Sequence, residues 1–308
     1  MDQQMSHHRC AFVVILLTSA TILVSTVGGS PSTQTGGYRF EELTGGSREL
    51  HRHFTEGEVA LLEKLNRRDV GNLAKLSRVV RPTAWDLDDL AYSPLPRHYA
   101  PAAPYQELIV VHQPVQVFGG YEYGHLVRWG PVSSGKRESP TPDGLFYLTW
   151  RSEGRNSTID PDWFMRWYYN FDNMRGLSFH EYILPGRPAS HGCVRLLARD
   201  AKWLYEWGEP WQVEDDGKAV VTSGTPVLIV GRYDFDAPPP WQSLDSLHRT
   251  VELPPHPLES GSAPQRSTTS RSSGASFGAA RDGATPGVSP LSRAGQCRGR
   301  AAPEGPLS

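Results

Sequence analysis

ELIVVHQPVQVFGGYEYGHLVRWGPVSSG, residues 107–135, consists of short runs of β-branched and aromatic residues. The runs are interrupted by Pro114, Gly119, Gly120 and Gly130, a pattern typical of short strands joined by hairpin turns. Further runs of the same kind follow at residues 145–150, 163–171, 177–184 and 226–231.

One helix stands out against these strands, over residues 199–208. Ala201, Leu204 and Tyr205 share a face there, and Gly208 supplies a C-terminal stop. We therefore expect a mainly β domain with one or two helices, a sandwich rather than a doubly wound sheet.

The N-terminal region predicts export. Residues 10–27 form an uncharged apolar run behind Arg9, and small residues follow it. The run is near the length of a membrane span, so residues 1–29 are either a cleaved signal peptide or a retained anchor. Cys10 opens the run, whereas a lipoprotein cysteine follows it. We expect the protein in the periplasm or cell envelope.

Residues 30–104 are expected to hold a linker and a small helical segment. Thr55 and Glu58 have the spacing of a capping box, and a second short helix begins near Asp69. Residues 65–82 resemble part of a degenerate LysM-like glycan-binding repeat. A small helical cap packed on the main domain is the alternative.

Residues 233–308 are rich in Pro, Ser and Arg, and this composition predicts a disordered tail. The formal net charge is −2, with acidic and basic residues mixed along the middle of the chain. No basic stripe points to nucleic acid as a partner.

The chemistry concentrates around Cys193. It is one of three cysteines, and the other two, Cys10 and Cys297, lie in the apolar leader and the polar tail. The surrounding segment FHEYILPGRPASHGCVRL, residues 179–196, also holds His180 and His191. Imidazole promotes the thiolate form of a cysteine, so either histidine is a candidate base.

His180 is the better placed of the two histidines. It lies on a predicted strand, and the LPGRP sequence after it supplies a turn that brings the chain back beside Cys193. Gly192 lets the backbone turn sharply and present amide groups to a carbonyl oxygen, as in an oxyanion hole.

SHGCVRL, residues 190–196, resembles the signature of the YkuD-type L,D-transpeptidase family. Residues 132–150, 164–171 and 199–207 are similar to further parts of that domain, so the resemblance covers about residues 105–232. It implies a β-rich transpeptidase fold without a cofactor.

The resemblance also implies a reaction. Cys193 would attack a peptidoglycan stem tetrapeptide, release D-alanine and form a thioester, with His180 as base. An amine of a second stem or of a wall-anchored protein would then accept the acyl group. Carbapenems and other β-lactams would act as inhibitors.

Supporting roles follow from the same resemblance. The Glu181 carbonyl would orient the His180 ring, and the amides of Gly192 and Cys193 would bind the oxyanion. Ser190 and His191 would shape the loop, and Arg195 would hold the loop or a substrate carboxylate.

Aromatic residues near the motif are candidates for the substrate pocket. Trp167 and Tyr168, with Trp163, are expected in its wall. Two departures from the family leave substrate choice open: His180 is only thirteen positions before Cys193, and Glu181 replaces a glycine.

The sequence is also compatible with other kinds of site. His180, His191 and Cys193 are all zinc-type ligands, although no paired metal motif accompanies them. A papain-like pattern is missing. An L,D-carboxypeptidase and a catalytically silent wall-binding protein are the functional alternatives.

Overall fold

The computed structural model describes residues 37–256, except residues 44–45, 86–87, 159, 216 and 218 and the side chain of Ser47. The predicted leader and residues 257–308 of the predicted tail lie outside this part of the chain.

Strands dominate the described residues. They are β1 Tyr38–Glu42, β2 Arg78–Pro82, β3 Glu107–His112, β4 Val117–Glu122, β5 His125–Ser133, β6 Gly144–Tyr147, β7 Arg151–Asn156, β8 Phe164–Asp172, β9 Leu177–Glu181, β10 Val194–Leu196, β11 Gln212–Val213, β12 Val220–Thr222 and β13 Pro226–Val230. The α-helices are α1 Gly46–His53, α2 Glu56–Asn66, α3 Val70–Leu73 and α4 Ala198–Trp207.

Nine of these strands form one sheet, in the order β6-β13-β3-β4-β5-β10-β9-β8-β7. The sheet curls so that β6, at one end, approaches β8, which lies next to the other end. Phe146 of β6 and Phe171 of β8 meet edge to face there, with ring centroids 5.6 Å apart. The mainly β, sandwich-like prediction is confirmed, and the two layers are parts of a single curled sheet.

Strand β3 shows why this sheet is buried on both faces. Leu108 and Val110 belong to the apolar cluster on one face of the strand, called the outer core below. Ile109 and Val111 belong to the cluster on the other face, called the inner core, which includes Ala201 and Leu204 of α4. Successive side chains point to opposite faces of a strand, so the continuous apolar run suits a strand covered on both sides.

The double glycine of β4 has a different role from the predicted one. Gly119 and Gly120 lie inside the strand, where they make room for neighbours rather than a turn. A Cβ atom on Gly120 would lie 2.4 Å from the ring of Trp203 in α4. Gly120 therefore lets α4 approach the sheet closely, whereas a Cβ atom on Gly119 would meet Leu95 on the other face.

The predicted N-terminal helices are confirmed. Thr55 caps α2 with both hydrogen bonds of the capping box to Glu58, and Asp69 caps α3. The β1–β2 ribbon was not predicted. Leu61 and Leu65 of α2 pack into the outer core of the sheet. This packing suits the helical-cap interpretation, and the LysM-like resemblance stays a prediction.

Residues 233–256 correct the prediction of a disordered tail. This segment, called the C-terminal strap below, contains the buried Trp241, and four further apolar residues pack on the outer core: Leu244, Leu247, Val251 and Leu253. The Val251 amide donates to the Pro94 carbonyl at 2.8 Å. These few apolar residues are spaced among Pro and polar residues, so the overall composition of residues 233–308 did not indicate a packed segment.

Among the described residues, none of the helices has the length and apolar character needed to cross a membrane.

Replacing Trp241 by Ala tests the packing of the strap. Because the side chain is only 3% exposed, we expect Trp241→Ala to lower the free energy of unfolding by about 3–5 kcal/mol. Gln242→Ala, at the exposed neighbouring position, is the control. Denaturant melts that give Trp241→Ala a loss below about 1 kcal/mol would show that the strap is not part of the core.

Candidate active site

Two neighbouring parallel strands carry the site. β9 and β10 pair with Val194 opposite Phe179 and Arg195 opposite His180. Val194 and Phe179 point into the inner core. Since side chains alternate along a strand, Arg195 and His180 point to the other face, together with Cys193 and Ser178.

These side chains surround a small cavity of about 40 Å³. The residues that line it are Ser157, Trp163, Met165, His180, Tyr182, Ser190, His191, Cys193 and Arg195. The structure therefore brings the predicted nucleophile, the predicted base, Ser190, His191 and Arg195 to one place.

The sulfur of Cys193 has two hydrogen-bond partners in the described structure. The hydroxyl of the fully buried Ser178 donates to Sγ at 3.4 Å, and Sγ donates to the Gly176 carbonyl at 3.8 Å. The direct partner is thus Ser178, while His180 lies two residues further along the same face. Sequence reasoning missed Ser178, although its position two residues before His180 places both on one face.

His180 is held in one tautomer. The residue is 5% exposed, and Nδ1 lies 2.9 Å from the Glu181 carbonyl. A carbonyl only accepts, so Nδ1 carries the proton and Nε2 keeps its lone pair. The Glu181 carbonyl thus contacts the ring as the resemblance implies.

Burial also keeps this imidazole neutral. It lowers the pKa of His180 to about 4; the Glu181 carbonyl partly opposes the shift, and the positive charge of Arg195 adds to it. Desolvation disfavours the charged imidazolium. At neutral pH the ring is therefore unprotonated, and the lone pair on Nε2 is free of a proton.

The loop before Cys193 is held by its own hydrogen bonds. The Ser190 hydroxyl donates to the Cys193 carbonyl, and the Gly192 amide donates to the Ser190 hydroxyl at 3.0 Å. The Gly192 amide is therefore already hydrogen-bonded, which corrects its expected role as an oxyanion donor. Of the two amides expected to bind the oxyanion, only that of Cys193 is left as a candidate. Gly192 has φ +114° and a Cβ there would lie 2.9 Å from Leu177, so glycine is required.

A second loop, residues 134–141, clamps this one. Thr141 Oγ1 donates to the Gly192 carbonyl and accepts from the Gly135 amide, both at 2.8 Å. The Lys136 amide donates to the Ser190 carbonyl at 2.9 Å. Thr141 was not singled out by sequence reasoning, because its contact partner lies 51 positions away in the chain.

His191 and Arg195 flank the cavity. The exposed His191 has Nε2 3.1 Å from Lys136 Nζ and its ring 5.4 Å from that of Trp163. The Arg195 guanidinium lies 4.6 Å from the ring centroid of Tyr182. A cation–π contact of this kind fixes the charge beside Cys193.

Trp167 and Tyr168 do not line the cavity, which corrects that prediction. Tyr168 stacks on Trp150 at 5.0 Å, and Trp167 packs against Tyr205 of α4 at 5.4 Å. Trp167 has a left-handed backbone with φ +52°, which breaks the alternation of β8. Trp163, before the irregularity, does line the cavity.

Within the described residues, no group of three or more His, Cys, Asp or Glu side chains is arranged to hold a metal ion. The alternative in which His180, His191 and Cys193 bind zinc therefore has no support from their geometry.

A comparison with known protein families matches the part of the chain that contains this site. Residues 106–229 match the family model described as the YkuD L,D-transpeptidase catalytic domain. The comparison with curated proteins gave no match.

Several solved structures are similar to the chain. An L,D-transpeptidase from Xylanimonas cellulosilytica is 26% identical, with 56% of this chain and 78% of that chain covered and a TM-score of 0.38. One from Stackebrandtia nassauensis is 23% identical, with coverages of 42% and 57% and a TM-score of 0.34. The L,D-transpeptidase LdtMt1 in complex with imipenem is 22% identical, with coverages of 41% and 59% and a TM-score of 0.33.

The chain thus spans less than two thirds of the length of the last two structures. The family match, by contrast, contains both active-site strands and the loop between them. Residues 106–229 accordingly match the catalytic domain of the YkuD L,D-transpeptidase family.

Proposed function

We propose that this protein is a peptidoglycan L,D-transpeptidase with Cys193 as its nucleophile and His180 as its general base. One observation carries the proposal. Within a domain that matches the L,D-transpeptidase model, the Cys193 thiol, directly before β10, and the neutral His180 imidazole, on the adjacent parallel strand β9, line the same cavity.

In the first half-reaction, the lone pair on His180 Nε2 takes the thiol proton as Cys193 Sγ attacks the L-to-D peptide carbonyl of a donor stem tetrapeptide. The S–C bond forms and the C–N bond breaks. The imidazolium returns the proton to the leaving amine, so D-alanine departs and a thioester remains.

In the second half-reaction, the amine of the acceptor attacks the thioester. The N–C bond forms, the S–C bond breaks, and His180 carries the amine proton back to the sulfur. The acceptor is a second stem peptide or a wall-anchored protein. Water in the same place would give the L,D-carboxypeptidase reaction.

The low pKa of His180 favours one version of this mechanism. An imidazole with a pKa of about 4 is not protonated at neutral pH, so the resting site does not hold a stable imidazolium. We infer that His180 removes the proton during the attack.

Arg195 is suited to bind the donor. Its guanidinium is buried on the cavity wall against Tyr182. Guanidinium binds carboxylates with paired hydrogen bonds. We assign it the terminal carboxylate of the stem peptide.

The apolar run at residues 10–27 supports export to the periplasm or cell envelope, where peptidoglycan is found. Residues 10–27 lie outside the described structure, so this placement rests on the sequence.

A carbapenem tests the nucleophile, because the strained lactam carbonyl acylates an active-site thiolate. We expect intact-protein mass spectrometry to show one imipenem per chain on the native protein and none on Cys193→Ala. Cys297 remains in the variant as an internal control, together with Cys10 where the leader is retained. An adduct that survives in folded Cys193→Ala would exclude Cys193 as the nucleophile.

The pH dependence of acylation tests the base. His180 must be unprotonated, so the rate falls as pH drops through its pKa, and the acid limb should lie near pH 4 rather than at the 6.5 of ordinary histidine. Arg195→Met should move the limb to higher pH because it removes a charge that lowers this pKa.

The measurement is stopped-flow imipenem acylation, with circular dichroism to follow folding and the exposed Arg39→Met as control. An acid limb near pH 6.5 in the native protein would contradict the neutral, buried base.

Ser178→Ala tests the hydroxyl that contacts the sulfur. Loss of a hydrogen bond to a developing thiolate should slow imipenem acylation about tenfold or more. Thr225→Val, which removes another buried hydroxyl that donates to Glu107, should leave the rate unchanged. Equal rates for Ser178→Ala and native protein would assign Ser178 a packing role only.

A further inference from the structure

We infer that the protein has a second ligand site, for a small organic anion, beneath the C-terminal strap. A cavity of about 350 Å³ lies there and shares no lining residue with the active-site cavity. Its wall includes Leu65 and Arg67, His112 and Val115, and Trp241 and Val251 of the strap. We call it the Arg67 cavity.

Arg67 brings an uncompensated positive charge to this cavity. Its side chain is 3% exposed; Nε donates to the Val115 carbonyl at 2.9 Å, and Nη1 donates to the Lys64 carbonyl. Among the described residues, no ion pair joins it to a carboxylate. Buried charges are normally paired, because desolvation of an unpaired ion is costly.

The aromatic neighbours of Arg67 do not supply the missing charge. The guanidinium carbon lies 5.7 Å from the ring centroids of both Trp129 and Trp241. Such contacts stabilise a cation only modestly. Burial lowers the pKa of Arg67 to about 9, in keeping with a poorly compensated guanidinium.

His112 adds a buried polar atom without a hydrogen-bond partner. The residue is 8% exposed, and its Nδ1 atom has no hydrogen-bond partner in the described part of the chain. Burial lowers its pKa to about 4, so the ring is neutral at pH 7. A buried polar atom left unsatisfied in a native protein calls for an explanation such as a bound molecule.

The rest of the wall determines the kind of anion. Leu65, Val115 and Trp241 offer apolar surface, and the exposed Arg249 and Glu252 line the cavity with opposite charges that leave Arg67 as the excess. The volume is within the range of small-molecule pockets. A carboxylate or phosphate monoester with a short apolar chain matches both features.

The test compares hexanoate, hexyl phosphate and 1-hexanol by isothermal titration calorimetry on the full chain. At least one of the two anions should bind once per chain, and hexanol should bind about tenfold more weakly or worse, because it lacks the charge. The tighter anion identifies the headgroup. Equal binding of hexanol, or no saturable binding of either anion, would overturn the site.

Two variants locate the binding. Arg67→Gln should abolish it, whereas Arg249→Gln at an exposed position should change it by less than about threefold. Because Arg67 also bridges two carbonyls and its variant is at risk of misfolding, Val251→Trp provides an independent block of the cavity with Arg67 intact. Unchanged anion binding in folded Val251→Trp would contradict the proposal.

Cys193→Ala should bind the anion as the native protein does. The anion site and the proposed transpeptidation can therefore be tested independently of each other.

Discussion

The parallel pairing of β9 with β10 is the constraint on which the active site depends. The pairing sends Val194 and Phe179 into the inner core, and it leaves Cys193 and His180 on the opposite face. A slip of one residue in β10 would reverse its faces and turn Cys193 into the core. Core packing of two apolar residues thus fixes where the thiol points.

The connection between β9 and β10 is held in place by hydrogen bonds to neighbouring segments. Parallel strands need a long crossover, which is commonly a helix. Here residues 182–193 cross without an α-helix, so their positions depend on neighbours. Thr141 fixes the end near Gly192, and Asp69 in the N-terminal segment accepts from the Leu184 amide at 2.7 Å. The helical segment before the catalytic domain is therefore part of the support of the active-site loop.

The sequence predicts what depends on local pattern. The strand runs, the capping box at Thr55 and the helix ending at Gly208 all follow from short-range periodicity and capping chemistry, and the structure contains them. The gathering of Cys193 and His180 was also predictable, since the two lie thirteen positions apart in one motif.

Features that depend on distant contacts were not predictable. In the sequence Gly120 resembles a turn residue, and its role depends on the contact with Trp203 of α4. The composition of the strap predicts disorder, whereas the structure buries Trp241. Trp167 left the expected pocket wall because one left-handed residue interrupts β8. These three errors arise where tertiary packing or an irregular backbone overrides the local pattern.

The most direct measurement of the central claim is the reaction of the purified protein with a stem tetrapeptide. Peptide mapping should find the tripeptide acyl group on residue 193, with D-alanine released in proportion and then transfer to an added amine acceptor. D-alanine release that continues undiminished in folded Cys193→Ala would contradict the account.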